Sequence, residues 1–471
     1  MTTSLNELVC AAIARSWKGE TLDALKHFVS VPAKSPAFDA NWQEHGYLKQ
    51  VANDAAEFGR KHFPDALFEV LEEPGRTPCL FFDIPATKTE SHQNILFYGH
   101  LDKQPETQGW SNGREPFKPV IEGHRLYGRG CADDGYSVYT AFTALAALDE
   151  SGTGRPRALG IIETCEETGD VDLSYWLQKL APRCGQVGLV LVLDSEAGDY
   201  NRLWVTTSFR GNVVVTANVE VLNHGVHSGS ASGIVPETFM IMRELLNRFE
   251  DSATGEILDP AFHAEIPTSR LLQLRKTADI LRDEYKTNFP WVKGVCARFD
   301  STEENMIAQC WKPQLAVIGV DGLPNVADAG NVMRASTALR LSIRSPPHVN
   351  PERALASLKK TLSENVPYNA RVSFDKASIG RGWDAAPEQA WFAHSIDEAS
   401  MALFGKPAAY IADGASIPIL SVFEETFTGA QFFVTGVLGP NSNAHGPNEM
   451  LDLDYVEKLT CAVAHLVTKM P

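Results

Sequence analysis

Apolar positions along the chain follow two rhythms that alternate. Residues 20–31 and 46–62 carry helical spacing, and Pro32 and Pro64 end those runs. Short runs at 68–71, 79–84 and 94–98 read as strands, and the last is so continuously apolar that it predicts a strand buried in a parallel sheet. After 125–127, Val138, Phe142, Leu145 and Leu148 fall at i, i+4, i+7 and i+10, which predicts an amphipathic helix. A strand at 158–162, a helix at 173–180 and a strongly apolar strand at 188–193 follow. Strands alternating with helices predict an α/β fold with helices on both faces of the sheet.

The texture changes near Phe209-Arg210-Gly211. A β-branched strand at 212–221 leads into the turn Asn223-His224-Gly225 and then His227-Ser228-Gly229. Beyond it, helical patterns at 237–249, 270–285 and 351–362 mix with strands at 315–320 and 337–343, the pattern of an α+β insertion. The first style returns near Trp383, with a helix to Phe404, strands at 408–411 and 431–437, a loop at 438–448 and a closing helix at 454–469. With 471 residues, the chain exceeds one ordinary core. The expected organisation is one α/β domain from residues 1–208 and 376–471, interrupted by a second domain at 209–375.

Composition narrows the partners. A net charge of −17 disfavours nucleic acid and anionic membrane surfaces, which reward clustered Lys and Arg. The eight cysteines are dispersed without a Cys-x-x-Cys pair, so neither a disulfide framework nor a zinc ribbon is expected, and a reducing cytoplasm fits best. Residues 1–18 contain Glu7 and no long apolar core, unlike a signal peptide, and no stretch reaches about 18 uninterrupted apolar residues.

Candidate chemistry lies where strands end. Gly99-His100-Leu101-Asp102 places an imidazole and a carboxylate at i and i+2, on one side of an extended backbone. That suits a metal-bound histidine oriented by an acid, although a lone His-x-Asp is more often an ordinary strand end. Asp133, Glu167 and Asp194 occupy three further junctions, and His445 lies on the late loop. Two His and three carboxylates suit a pair of zinc ions with nitrogen and oxygen ligands. Glu166, beside Glu167, is then placed to move a proton between water and a leaving nitrogen. Glu166-Glu167 alone would read as a solvated acidic turn. Gly128-Arg129-Gly130 has the wrong spacing for a dinucleotide fingerprint, and Ser228 and Ser416 lack a nucleophile elbow.

These residues, together with Tyr127-Gly128-Arg129-Gly130, Asp133-Asp134, Leu193-Asp194, Ser342-Ile343-Arg344, Ser416-Ile417-Pro418 and Ala444-His445-Gly446, resemble the aminoacylase, carnosinase and glutamate carboxypeptidase family of dinuclear zinc metallopeptidases. The resemblance implies a phosphorylase/hydrolase-like zinc peptidase catalytic domain, a mixed sheet flanked by helices, with the 209–375 insertion as lid and dimerisation domain. It implies two Zn²⁺ per subunit, with Mn²⁺ or Co²⁺ as alternatives: His100 and Asp194 on one ion, Glu167 and His445 on the other, Asp133 bridging. Asp102 would orient His100, and Glu166 would be the general base and acid. A cis peptide is implied at Asp133-Asp134. His227 would reach the partner subunit's site and stabilise an oxyanion, while Asn331, Arg344, Asp413, Gly414 and Ser416 would bind substrate. An aspartate at 194 sits nearest the carnosinase-like dipeptidase branch, implying a homodimer that cleaves dipeptides or short peptides. An N-acyl amino-acid deacylase or desuccinylase is the alternative, and a binding protein without catalysis the alternative of another class. Two departures stand out: Gly135-Tyr136 follows the Asp-Asp pair where the family has lysine, and Trp383-Asp384-Ala385-Ala386-Pro387 replaces a His-Pro-His stretch.

Overall fold

The computed structural model describes residues 6–471 except 88–91, 112, 170–171, 288 and 418. Pro418 of the Ser416-Ile417-Pro418 motif and the first five residues of the expected non-signal N-terminus therefore lie outside the described residues. Six strands form the main sheet, in the order Leu67–Leu71, Cys79–Ile84, Ala158–Glu163, Asn94–His100, Val187–Val192 and Gln431–Val434. The last four are mutually parallel and the first two antiparallel, so the sheet is mixed. Along Asn94–His100, Ile95 and Phe97 enter one core while Leu96 and Tyr98 enter the other, as the two-residue period of a strand requires. That double burial is why the segment is continuously apolar.

Asn94–His100 also sits where the topology changes direction. The chain leaves it for Ala158–Glu163 on one side and then crosses to Val187–Val192 on the other. Such a switch point opens a crevice at the carboxyl ends of the strands.

One sequence expectation is corrected by packing. The helix Tyr136–Glu150 is not amphipathic, because twelve of its fifteen residues are buried. It packs against Glu7–Trp17, Leu453–Lys469 and the central strand. Its small residues, Ser137, Thr140, Ala141, Thr143 and Ala144, line the faces that periodicity leaves polar. Several boundaries also differ, as in the helices expected at 173–180 and 237–249, which span Leu173–Cys184 and Thr238–Leu246. The helix expected at 270–285 divides into Thr268–Leu281 and Glu284–Thr287, with Arg282 between them at a φ of 48°. The helix ending at Phe404 starts at Ala390, since Trp383–Asp384 pairs as a short strand with Trp204–Phe209.

A second sheet orders its strands Gln314–Asp321, Ser336–Ser345, Gly211–Glu220 and Arg371–Gly380, all antiparallel. One face packs on Thr238–Leu246 and Pro351–Ser363 through Val213, Val215, Leu341, Ile343, Ile241 and Leu358. Two helices of the same sequence span, Thr268–Leu281 and Thr302–Trp311, pack instead against Ala409–Asp413 and contribute Leu274, Met306 and Trp311 to a core of the main sheet. Among the described residues no helix is long and apolar enough to cross a membrane.

Candidate metal centre

Three parallel strands end side by side and deliver the first group of side chains. His100 closes its strand opposite Glu163, and Asp194 lies two residues beyond Val187–Val192. The Glu166–Thr168 turn follows Ala158–Glu163. Asp133 comes from the loop preceding Tyr136–Glu150, and the peptide joining it to Asp134 is cis. His445 arrives from the far end of the chain on a loop where Asn441, Asn443, His445 and Asn448 all have positive φ. Asn and His tolerate that region better than most side chains.

Asp133 stands between two clusters. His100 Nε2 lies 3.3 Å from Asp133 Oδ1 and 3.6 Å from Asp194 Oδ2. On the other side, His445 Nε2 lies 2.9 Å from Asp133 Oδ2 and 3.4 Å from Glu167 Oε2. Within each triad, His100–Asp133–Asp194 and Asp133–Glu167–His445, the potential ligand atoms all fall within 4.8 Å of one another. Among the described residues, His100 Nε2 and Glu167 Oε1 are buried with no hydrogen-bond partner, a costly state for polar atoms unless a ligand completes them. Nitrogen and carboxylate donors in two triads sharing one acid fit a pair of divalent cations.

The supporting contacts fix this arrangement. His100 Nδ1 lies 3.1 Å from the Asp102 carbonyl and 3.4 Å from its carboxylate, so Nε2 is left facing the cluster. The Asp102 carboxylate also accepts the backbone N–H of Glu166 and of Glu167, each at 3.1 Å. One buried acid thus sets the histidine and the di-glutamate turn together. Asp134 accepts the His100 N–H at 3.2 Å and the Ser137 hydroxyl at 2.6 Å. Gln104 donates to Glu167 Oε2 at 2.5 Å. Glu166 Oε2 is 4.0 Å from His100 Nε2, at the edge of the first triad.

Crowded acids and imidazoles perturb one another. Burial opposes ionisation of Asp133, yet the His100 and His445 imidazoles hold its carboxyl well below the usual range. Burial, then repulsion from Asp133, pushes Glu167 up to about 8. The hydrogen bond to Asp133 raises His445 to about 9. Protons therefore compete with cations for this donor set.

The other expected site residues form two separate groups. Arg344 Nη1 donates to Ser416 Oγ at 2.6 Å, Asp413 accepts the Ala415 N–H at 2.7 Å, and the Gly414 carbonyl accepts Arg210 Nε at 3.0 Å. His227 and Asn331 adjoin each other: His227 pairs with Val332, and Ser228 N–H donates to the Asn331 carbonyl. Both side chains are exposed, and neither belongs to the two triads. A cavity of about 800 Å³ lies beside the His445 loop, lined by Asn443, Ala444, Leu438, Glu196, Tyr285 and Gln309.

Sequence reasoning missed Gln104, for which no motif signals a role, and the second use of Asp102. It also missed Lys103, whose fully buried Nζ donates to the Phe28, Val29 and Val31 carbonyls. The glycine that replaces the family's lysine is explained nearby: a Cβ on Gly135 would lie 2.0 Å from the Phe28 ring.

The family description "Peptidase family M20/M25/M40" matches residues 96–469. The chain is 26% identical over 468 residues to a Beta-Ala-His dipeptidase of Homo sapiens, covering 93% of this chain and 88% of that protein. It is 25% identical over 390 residues to the Cys-Gly metallodipeptidase DUG1 of Saccharomyces cerevisiae, covering 80% and 79%. The crystal structure of human carnosine dipeptidase 1 superposes with a TM-score of 0.78 at 21% identity, covering 100% of this chain and 99% of that one.

Proposed function

The chain belongs to peptidase family M20/M25/M40 and is a hydrolytic metallopeptidase, and from that premise we propose that it cleaves the amide bond of dipeptides or similarly short peptides at a two-metal centre. The observation that carries this reading is the sharing of Asp133 between two ligand triads. His100 and Asp194 would hold one ion, Glu167 and His445 the other, and Asp133 both. Zn²⁺ suits these donors, and Mn²⁺ or Co²⁺ would be accepted by the same set. When bound, such a pair polarises the scissile carbonyl and acidifies water.

Glu166 then takes the water proton and returns it to the departing amine nitrogen, so that no free proton is released in the step. Its place beside His100 Nε2, outside both triads, supports that division of labour between neighbouring glutamates. Asp102 acts as a positioning residue, because one carboxylate orders both the imidazole and the turn that carries Glu166. The cavity beside the His445 loop offers room for a dipeptide. Arg344, Ser416, Asp413 and Gly414, which are not among its lining residues, are the proposed receivers of the substrate's polar ends.

His227 and Asn331 belong to the proposed lid and dimerisation domain at 209–375 and would serve the partner subunit's site. The edge strand Gln314–Asp321 supports a homodimer: Val317, Ile318 and Val320 are 50%, 60% and 57% exposed on an edge that no strand pairs among the described residues, a template for another chain. The cysteines, all free thiols and mostly buried, support residence in a reducing cytoplasm. The test is a panel of dipeptides, N-acetyl amino acids and N-succinyl amino acids with Zn²⁺, Mn²⁺ or Co²⁺. Metal-dependent turnover of dipeptides above the acylated compounds is expected. Preference for the acylated compounds would assign a deacylase, and no turnover a binding role.

A further inference from the structure

Asp133 and His445 lie more than 300 residues apart in the chain, yet they must be held at ligand distance for the second triad to exist. A fully buried ion pair lies directly behind them. Glu449, four residues after His445, accepts the N–H groups of Gly130, Ala132 and Asp133 at 3.0, 3.0 and 3.3 Å through Oε1. Its Oε2 accepts Arg129 Nη1 at 2.7 Å. Arg129 then reaches back: Nη2 donates to the Gly446 carbonyl at 2.8 Å and to Thr107 Oγ1 at 3.1 Å, while Nε donates to the Pro105 carbonyl at 3.2 Å. Each member of the pair starts on one ligand-bearing loop and bonds the backbone of the other. None of these bonds reaches His100 or Asp194, which ride on strand ends.

We propose that Arg129 and Glu449 are positioning residues for the second metal, a reciprocal clamp that sets the Asp133-to-His445 separation before any ion binds. The proposal rests on the two-metal reading of the site and adds an asymmetry to it: His100 and Asp194 of the first triad ride on strand ends, whereas His445 of the second is tied to the shared Asp133 through this pair. The glycines flanking Arg129 fit the same geometry, since Gly130 at a φ of 84° turns its N–H onto Glu449 and a Cβ there would meet Lys103 at 2.7 Å.

Calorimetric titration of the full-length apo-protein with Zn²⁺ tests this, using Glu449→Gln and Arg129→Lys beside the unsubstituted chain. Glu449→Gln puts an amide N–H₂ where an acceptor is needed, and Arg129→Lys keeps the charge but loses the Gly446 and Thr107 bonds. In both variants the second Zn²⁺ should bind about 10–100-fold more weakly, the magnitude usual for contacts that orient ligands. The first should weaken by a smaller factor than the second, because it shares only Asp133 with the clamped loops. Second-site affinity equal to that of the unsubstituted chain would overturn the proposal. So would a parallel loss at both sites together with a lower apo-protein Tm, or failure of both variants to fold, because each marks a general scaffold and not a clamp. If the unsubstituted chain binds fewer than two ions, the two-metal reading itself fails, a result distinct from failure of the clamp alone.

Discussion

The main sheet and the four-stranded sheet treat their edges and ends in opposite ways. At the carboxyl ends of the main sheet, charged side chains are buried and bonded from several directions, as Asp102 and Asp133 are. At the edge of the four-stranded sheet, apolar side chains face outward on Gln314–Asp321, and the nearby His227 and Asn331 are exposed. The first region carries buried charge that asks for cations; the second carries exposed apolar surface that asks for protein. The difference frames the proposal: one chain brings both ligand triads together by itself, whereas the exposed His227 is the group proposed to act in a second copy.

The comparison breaks most severely at its shared ligand. Asp133→Asn should empty both triads, with metal analysis showing fewer than one ion per chain and turnover at background. Glu166→Gln should lower kcat by about 10²–10⁴ with both ions retained, the range for losing a general acid and base. His227→Ala should lower kcat by about 10²–10³, as for an oxyanion donor, and leave metal content untouched. Mixing the Glu166→Gln and His227→Ala proteins sharpens the contrast: a mixed dimer has one site with both groups, so activity should exceed that of either parent. No recovery would place His227 in its own subunit's site. Ile318→Asp on the exposed edge should weaken dimerisation in sedimentation equilibrium while leaving metal affinity unchanged.

A further test varies pH. Because His445 is raised to about 9, below that pH a cation must displace its proton. Affinity for the second ion should therefore rise with pH and level off above about 9, by at most about tenfold per unit between pH 8 and 9 and more steeply below about 8, where Glu167 must also give up a proton. Titrations between pH 6 and 10 would check the slope.

The strand-end positions were legible because doubly buried strands give unbroken apolar runs that stop abruptly, as Asn94–His100 does. The helix Tyr136–Glu150 was misread because Ser, Thr and Ala can be buried by close packing, which hydrophobic periodicity does not register. The contacts of Asp102 with the Glu166-Glu167 amides join residues more than 60 positions apart, and no local spacing encodes them. Arg129 stands in the Gly128-Arg129-Gly130 motif, yet its partner Glu449 becomes apparent only when the two loops are seen together.

Anomalous diffraction from Zn²⁺-loaded crystals tests the central claim most directly. The account predicts two peaks per chain about 3.5–4 Å apart, the spacing of bridged metal pairs, with Asp133 touching both and Glu166 touching neither. A single peak, or two peaks without Asp133 between them, would contradict it.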